Sequence, residues 1–251
     1  MGRYADLFWM LTRTEFRLRD QGTLGGFLWT LLHPLFMFLI LYAVFTRMMG
    51  SKVENYAAYL LIGVVQWNFF AAATSGGLTS LRRKAGLISH FRFPRVLIVL
   101  SSVVAILLSH LLEWLVLLVG LLALGLRPGA GWLLLPGIIV VEAALAAGLS
   151  CLLSVAAVHL RDLERAWGIA LFGLFFLTPV FYAGDLLGAG GRLMLYANPV
   201  AAVIEATRGL LIGPPPTSLA VLAPAAAVSL TLLAGGVLAF PRLSRGIVER
   251  L

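Results

Sequence analysis

Gly148-Leu149-Ser150, with His110 and His159 available elsewhere in the chain, is a pattern that could do nucleophilic chemistry. An intramembrane serine protease needs a Gly-x-Ser nucleophile and a histidine on another helix to take its proton. The same triplet arises by composition in any apolar helix rich in small residues, where it serves close packing. Nucleotide chemistry would need Gly-x-x-x-x-Gly-Lys followed by Ser or Thr, so that backbone amides and the lysine cradle the phosphates. The two lysines, Lys52 and Lys84, are followed by Val53 and Ala85. No Walker A site fits, so an ATP-driven function requires a partner subunit, on which ATP and magnesium would sit. Cys151 is the single cysteine and lies in an apolar run, which excludes an internal disulfide and a cysteine-rich metal centre. No metal site and no cofactor on this chain are expected.

Three further groups stand where charge is expensive. His110, Glu113 and Glu142 interrupt otherwise apolar runs, and a charge at membrane depth costs a few kcal/mol or more unless it faces protein or water. They read either as groups tuning a pathway or as structural contacts between neighbouring helices.

The elements that position these residues follow from composition. Of 251 residues, 61% are hydrophobic and 12% charged, and the mean hydropathy is +0.98. A soluble chain of this length would need far more polar surface. The net charge of +8 could suggest nucleic acid, but the basic residues lie between apolar runs, as topology in a membrane demands. The first 21 residues mix Arg3, Asp6, Arg13, Glu15, Arg17, Arg19 and Asp20 with apolar ones, so no cleavable signal is expected.

A hydrocarbon core of about 30 Å takes roughly 20 residues of helix. Six runs meet that test: Phe27 to Phe45, Tyr56 to Leu78, Val96 to Leu126, Trp132 to Val158, Trp167 to Ala183 and Leu219 to Phe240. Five of the 19 basic residues, Arg47, Lys52, Arg127, Arg192 and Arg208, fall on one side, and the remainder on the other. Both termini are therefore expected in the cytoplasm. Near the span ends, Trp29, Tyr56, Trp132 and Trp167 read as interfacial anchors.

Three pieces do not span. Tyr4 to Gln21 reads as an interfacial amphipathic helix, with Tyr4, Leu7, Phe8, Leu11 and Leu18 on one arc and Asp6, Arg13, Arg17 and Asp20 on another. Ser80 to Pro94 is a basic cytoplasmic loop long enough for a short helix. Asp185 to Pro216 is an external segment in which Asn198 should cap a helix that Pro199 begins and Pro214-Pro215-Pro216 stops. Two short helices flanking Asn198 would form a re-entrant hairpin, suited to a gate. On that helix Glu205 and Arg208, at i and i+3, pair with each other or meet cargo phosphate. The fold expected is thus an all-α integral membrane domain, 1–251, with an interfacial helix (1–26), a cytoplasmic loop (80–95) and an external hairpin (185–216).

Five stretches in this order resemble the ABC-2 transporter permeases, in the branch that exports O-antigen, capsule and teichoic-acid polymers. They are Gly22-Thr23-Leu24-Gly25-Gly26-Phe27-Leu28-Trp29 leading to His33-Pro34-Leu35; Gly63 with Trp67, Phe69 and Phe70; Phe93-Pro94-Arg95; Thr178-Pro179-Val180-Phe181-Tyr182; and Asn198-Pro199 followed by Arg208. The resemblance covers nearly the whole chain. It implies a homodimer in a bacterial inner membrane, two ABC ATPase subunits beneath it and a lipid-linked polysaccharide as cargo. It also implies a coupling helix docking on the ATPase, assigned to Arg82, Arg83, Lys84, Leu87, Phe91 and Phe93. The basic cluster alone reads more plainly as a topology signal or a headgroup contact. Arg17 and Arg19 could attract the substrate headgroup. Phe36, Tyr42, Trp67, Phe70, Phe176 and Tyr182 would line the conduit, or serve as core. Tyr196, Asn198, Pro199, Glu205 and Arg208 would form the external gate. An ABC-2 permease for drugs or simple lipids shares this plan and is the nearer alternative; the protease is the remote one.

Overall fold

Apolar runs free of internal breakers become long helices, and in this chain the breakers mark almost every helix end. A computed structural model describes residues 2–19, 24–49, 53–183, 195, 197–213 and 218–246, and among these every regular element is helical. The elements are α1 (Gly2–Arg19), α2 (Leu24–Met49), α3 (Tyr56–Arg83), α4 (Ala85–His90), α5 (Val96–Ala123), a 3-10 turn (Ala130–Leu134), α6 (Leu135–His159), α7 (Leu163–Leu177), α8 (Pro199–Leu211) and α9 (Ser218–Leu243).

Among the described residues four stretches are long and apolar enough to cross a membrane, Tyr56–Arg83, Val96–Ala123, Ala130–His159 and Leu222–Leu243, and a shorter apolar stretch, Leu32–Arg47, lies within α2. The chain is a multi-pass membrane protein, all-helical among the described residues. Its outward faces are apolar at Leu115, Val116 and Val119 of α5, Ile169 and Phe172 of α7, and Leu230 and Leu238 of α9. That is the surface a bundle presents when its solvent is hydrocarbon.

The helix ends have local causes. α5 stops in a Schellman turn: Gly125 takes φ +84°, its N–H reaches the Leu122 carbonyl, and the Leu126 N–H reaches the Leu121 carbonyl. α6 carries Pro136 in its first turn, where a missing N–H costs nothing. α4 ends before Phe91, which turns extended ahead of Pro94.

α3 is the axis of the bundle. It packs on α2, α5, α6, α7 and α8, while α6 is sandwiched between α3 and α9. The α6–α9 contact is backbone on backbone. A Cβ on Gly148 would lie 2.5 Å from the Leu232 carbonyl carbon and the Leu233 nitrogen, and one on Gly236 would lie 2.8 Å from the Gly148 oxygen. Only glycine permits that approach.

Several expectations shift. α7 covers Leu163–Leu177, 15 residues, where a span from Trp167 to Ala183 is read from hydropathy. Pro179 disfavours helix at Thr178 and ends it early. At 1.5 Å per residue α7 is about 22 Å long, short of the hydrocarbon thickness. α3 runs on through Arg82 and Arg83, so these cations occupy its last turn rather than the loop, and the short helix begins after Lys84. The apolar arc of α1 is divided. Leu7 and Leu11 pack into the bundle, while Tyr4, Trp9, Met10 and Leu18 are exposed.

Candidate functional site

At the end of the bundle where α3 begins, the segment after α7 and the helix α8 are tied into one knot. Asn198 caps α8 as its type and position require. Its side-chain oxygen accepts from the Val200 N–H at 3.0 Å and the Ala201 N–H at 3.3 Å, and its amide nitrogen donates to Thr178 Oγ1 at 2.8 Å. Thr178 closes α7, so one asparagine joins the stop of one helix to the start of the next.

Arg208, ten residues further along α8, supplies the second tie. Its guanidinium is 2% exposed and donates from Nε to the Tyr59 carbonyl at 3.1 Å, from Nη1 to the Pro179 carbonyl at 2.7 Å and from Nη2 to the Val180 carbonyl at 2.7 Å. Its carbon stands 3.4 Å over the Tyr59 ring centroid, a cation–π contact strengthened by burial. Glu205 stands 3.6 Å away as the i, i+3 partner. Gly63 makes room: a Cβ there would lie 2.6 Å from both Arg208 Nη2 and the Val180 oxygen.

Two tyrosines complete the knot. Tyr56 Oη donates to the Phe181 carbonyl at 2.8 Å and Tyr59 Oη to the Tyr182 carbonyl at 3.0 Å. Tyr182 Oη donates to the Phe176 and Leu177 carbonyls at 3.0 and 3.2 Å.

Of the aromatic candidates, Trp67 and Phe70 share a cleft of about 540 Å³ with Trp167, Leu174 and the Asn198-Pro199 turn. Tyr42 stacks between Phe38 and Tyr56. Phe176 packs edge-on against Phe172, Phe175 and Phe181. Phe36 is apart from these, on the outer face of α2 and 51% exposed. Tyr196 and the segment before it, including the first helix of the expected hairpin, lie outside the described residues, as does the Pro214-Pro215-Pro216 run. What residue types alone did not reveal is the role of Tyr56, read as an anchor, and of Tyr59 and Thr178. The spacing of Tyr56 and Tyr59 on one helical face was the available signal.

The opposite end holds the cations. Glu15 of α1 bridges Arg83 Nη2 at 2.7 Å and Lys84 Nζ at 2.8 Å, at the corner between α3 and α4. Arg82 meets Glu164 at the start of α7, 3.7 Å away. Leu87, Phe91, Phe93 and Arg92 join Arg3, Tyr4 and Met10 around a groove of about 480 Å³ between α1 and the 87–93 stretch. Phe91 is 64% exposed there. Arg17 is exposed, and the Arg19 side chain lies outside the described residues. Glu15→Arg should set three cations together and release α1, read as faster proteolysis within residues 2–19. Glu15→Gln keeps an acceptor and should change little. Equal proteolysis of the two variants would contradict the bridge.

Ser150 is no free nucleophile. It is fully buried, and its hydroxyl donates to the Ala73 carbonyl at 3.2 Å. His110 is engaged by Trp114 and Glu113, and His159 by the Val155 carbonyl.

The ABC-2 type transporter profile matches residues 6–212, a stretch that contains both the knot and the cation corner. The chain belongs to the ABC-2 type transporter family. Among curated relatives of this ABC-2 chain is an O-antigen export system permease protein RfbA of Klebsiella pneumoniae, 30% identical over 211 residues, which is 84% of this chain and 82% of the relative. A protein of the same name from Myxococcus xanthus is 28% identical over 210 residues, 83% and 81% of the two chains.

Proposed function

We propose that the chain is the permease subunit of an ATP-driven exporter that carries a lipid-linked polysaccharide of the O-antigen type out of the cytoplasm. The observation that carries this is the similarity over four-fifths of the chain to O-antigen export permeases. With no place for a Walker A site in the sequence, the energy comes from a separate ABC ATPase.

In this reading α2 and α7 complete a set of six spans, α7 together with the residues that follow it, and α8 is the inner arm of a re-entrant external hairpin. The cation-rich end faces the cytoplasm, following the excess of Lys and Arg there. Two copies pair around the pathway, and two ATPases bind below. The groove beside Phe91 and α4 receives the ATPase surface, and Arg82, Arg83 and Lys84 hold that corner. Cargo phosphate is drawn by Arg17 and Arg19 at the headgroup level. Ring faces of Trp67 and Phe70 give sugar a weak, sliding contact. The knot formed by Asn198, Tyr59 and Arg208 keeps the exit shut until the spans shift.

The test is purification of the chain together with an ATPase from the same host, in nanodiscs. A lipid-linked glycan should stimulate hydrolysis several-fold while free lipid does not. Deletion of 82–93 should leave basal hydrolysis and abolish the stimulation. A pair stimulated equally by simple lipids or drugs would overturn the cargo assignment, and a chain that exports without any ATPase would overturn the whole reading.

A further inference from the structure

Inside the bundle, away from both ends, lies a polar chain that the export reading does not use. Glu142 of α6 is 1% exposed, and neither carboxyl oxygen has a hydrogen-bond partner. Its closest basic atom is His110 Nε2 on α5, at 3.8 Å. That nitrogen is already taken as an acceptor, because the Trp114 indole N–H donates to it at 2.7 Å. The imidazole proton therefore sits on Nδ1, which faces Glu113 Oε2 at 3.3 Å. With Nε2 occupied by the indole N–H, that nitrogen has no proton to offer Glu142. The ring is held in that attitude by Phe69, stacked 4.4 Å away.

On its other side Glu142 adjoins the amide of Gln66 on α3. Gln66 is wholly buried. Its nitrogen donates to Thr207 Oγ1 on α8 at 2.8 Å, and the Thr207 hydroxyl spends its own proton on the Val203 carbonyl at 2.8 Å. The Gln66 oxygen has no donor. Three acceptor atoms, two on Glu142 and one on Gln66, are thus sealed in one place, where the second N–H of the Gln66 amide is the uncommitted hydrogen at hand. An ionised carboxylate there would be a buried, unpaired charge at membrane depth, which is severely unfavourable.

We propose that Glu142 is an intramembrane proton-binding site: as the neutral acid it closes a polar chain with Gln66 and Thr207 that latches α8 into the bundle, and its ionisation releases that latch. The titratable and charged groups around it are few. α5 contributes His110 and Glu113, the latter 11% exposed on a cavity of about 350 Å³ that His33 of α2 also lines. α8 contributes Glu205 and Arg208, with the Arg208 guanidinium committed to Tyr59, Pro179 and Val180. α3 brings only the Gln66 amide to this level. α9 has no titratable residue before Arg242, near its far end. Gln66 stands ten residues into α3, about 15 Å from its start. On α3 the latch therefore lies about two helical turns below the Tyr59 carbonyl that Arg208 holds, while on α8 Thr207 directly precedes Arg208.

A proton kept by the native state and lost by the unfolded chain makes stability fall as pH rises. The experiment uses the full chain in nanodiscs and has two readouts. Infrared difference spectra of the wild type at neutral pH should contain a protonated-carboxyl carbonyl band that shifts in heavy water and is lost in Glu142→Gln. The thermal unfolding midpoint of the wild type should fall over the pH range in which that band disappears. In Glu142→Gln the midpoint should be flat across this range. Thr207→Val leaves the acid in place but cuts the chain at its far end: it should melt several degrees below the wild type while the band is present, the gap should close as the band is lost, and its own band should disappear at lower pH, a comparison that also serves if Glu142→Gln fails to fold. Absence of the band in the wild type would overturn the proton site. A band whose loss leaves the midpoint unmoved, or a gap between Thr207→Val and the wild type that stays the same at every pH, would overturn the latch.

Discussion

Arg208→Met should lower the unfolding midpoint of the purified protein more than any other single change in the α8 region, and export should be lost with it. The guanidinium satisfies three backbone carbonyls on two other elements and covers the Tyr59 ring. Methionine fills much of the volume but leaves the Pro179 and Val180 carbonyls without that donor, at about 1–3 kcal/mol each, and removes the cation from the Tyr59 ring, while the Tyr59 carbonyl keeps its bond within α3. The total, on the order of 5 kcal/mol, lies in the range that only broken buried networks reach. Arg208→Lys should fall between, since one ammonium cannot fork to three acceptors or stack as a plane. Glu205→Ala should cost well under 1 kcal/mol, because its carboxylate is 38% exposed and such pairs are screened. A fluorescence melt in which Arg208→Met and Glu205→Ala lose the same few degrees would remove the clamp from the account.

The second large effect is at Gly148. A methyl group there meets the backbone of α9 at Leu232 and Leu233, and backbone cannot turn aside as the tip of a side chain can. Gly148→Ala must push α6 and α9 apart, at about 1–3 kcal/mol, and Gly148→Val by more. Gly235 on α9 is the control, since nothing stands within 4 Å of its Cβ position. Gly235→Ala should be neutral or stabilising by up to about 1 kcal/mol, through helix propensity alone. The pair of alanine variants differs by one methyl group on helices in mutual contact, so melting midpoints that moved in parallel would show that the close approach is not what holds them.

What could be read in advance was local. The Asn198 cap with Pro199 behind it depends on residues three apart, and it appears as expected. The four long helices follow from runs of apolar residues with terminal breakers. Hydropathy failed where an apolar stretch contained a conformational stop: Phe181 and Tyr182 are as greasy as a span requires, but Pro179 had already ended α7. It failed again at Arg82 and Arg83, where charge suggested a loop although nothing in the backbone forbade helix. Glu205 could be read as a partner of Arg208 from its i, i+3 spacing, but the acceptors that hold the guanidinium could not. Tyr59 is 149 residues away, and carbonyl acceptors carry no sequence signature. The order of motifs pointed to the family, yet it left Tyr56 and Tyr59 as anonymous aromatics until the fold brought them to the same turn.

The double grip of Glu15 on Arg83 and Lys84 has a mechanical consequence. α1 exposes Trp9, Met10 and Leu18. With one carboxylate riveting it to the α3–α4 corner, α1 works as a paddle on the same shaft. Whatever tilts the α3–α4 corner must therefore drag α1 and its exposed apolar side chains along, so the two cannot be displaced separately while that carboxylate holds.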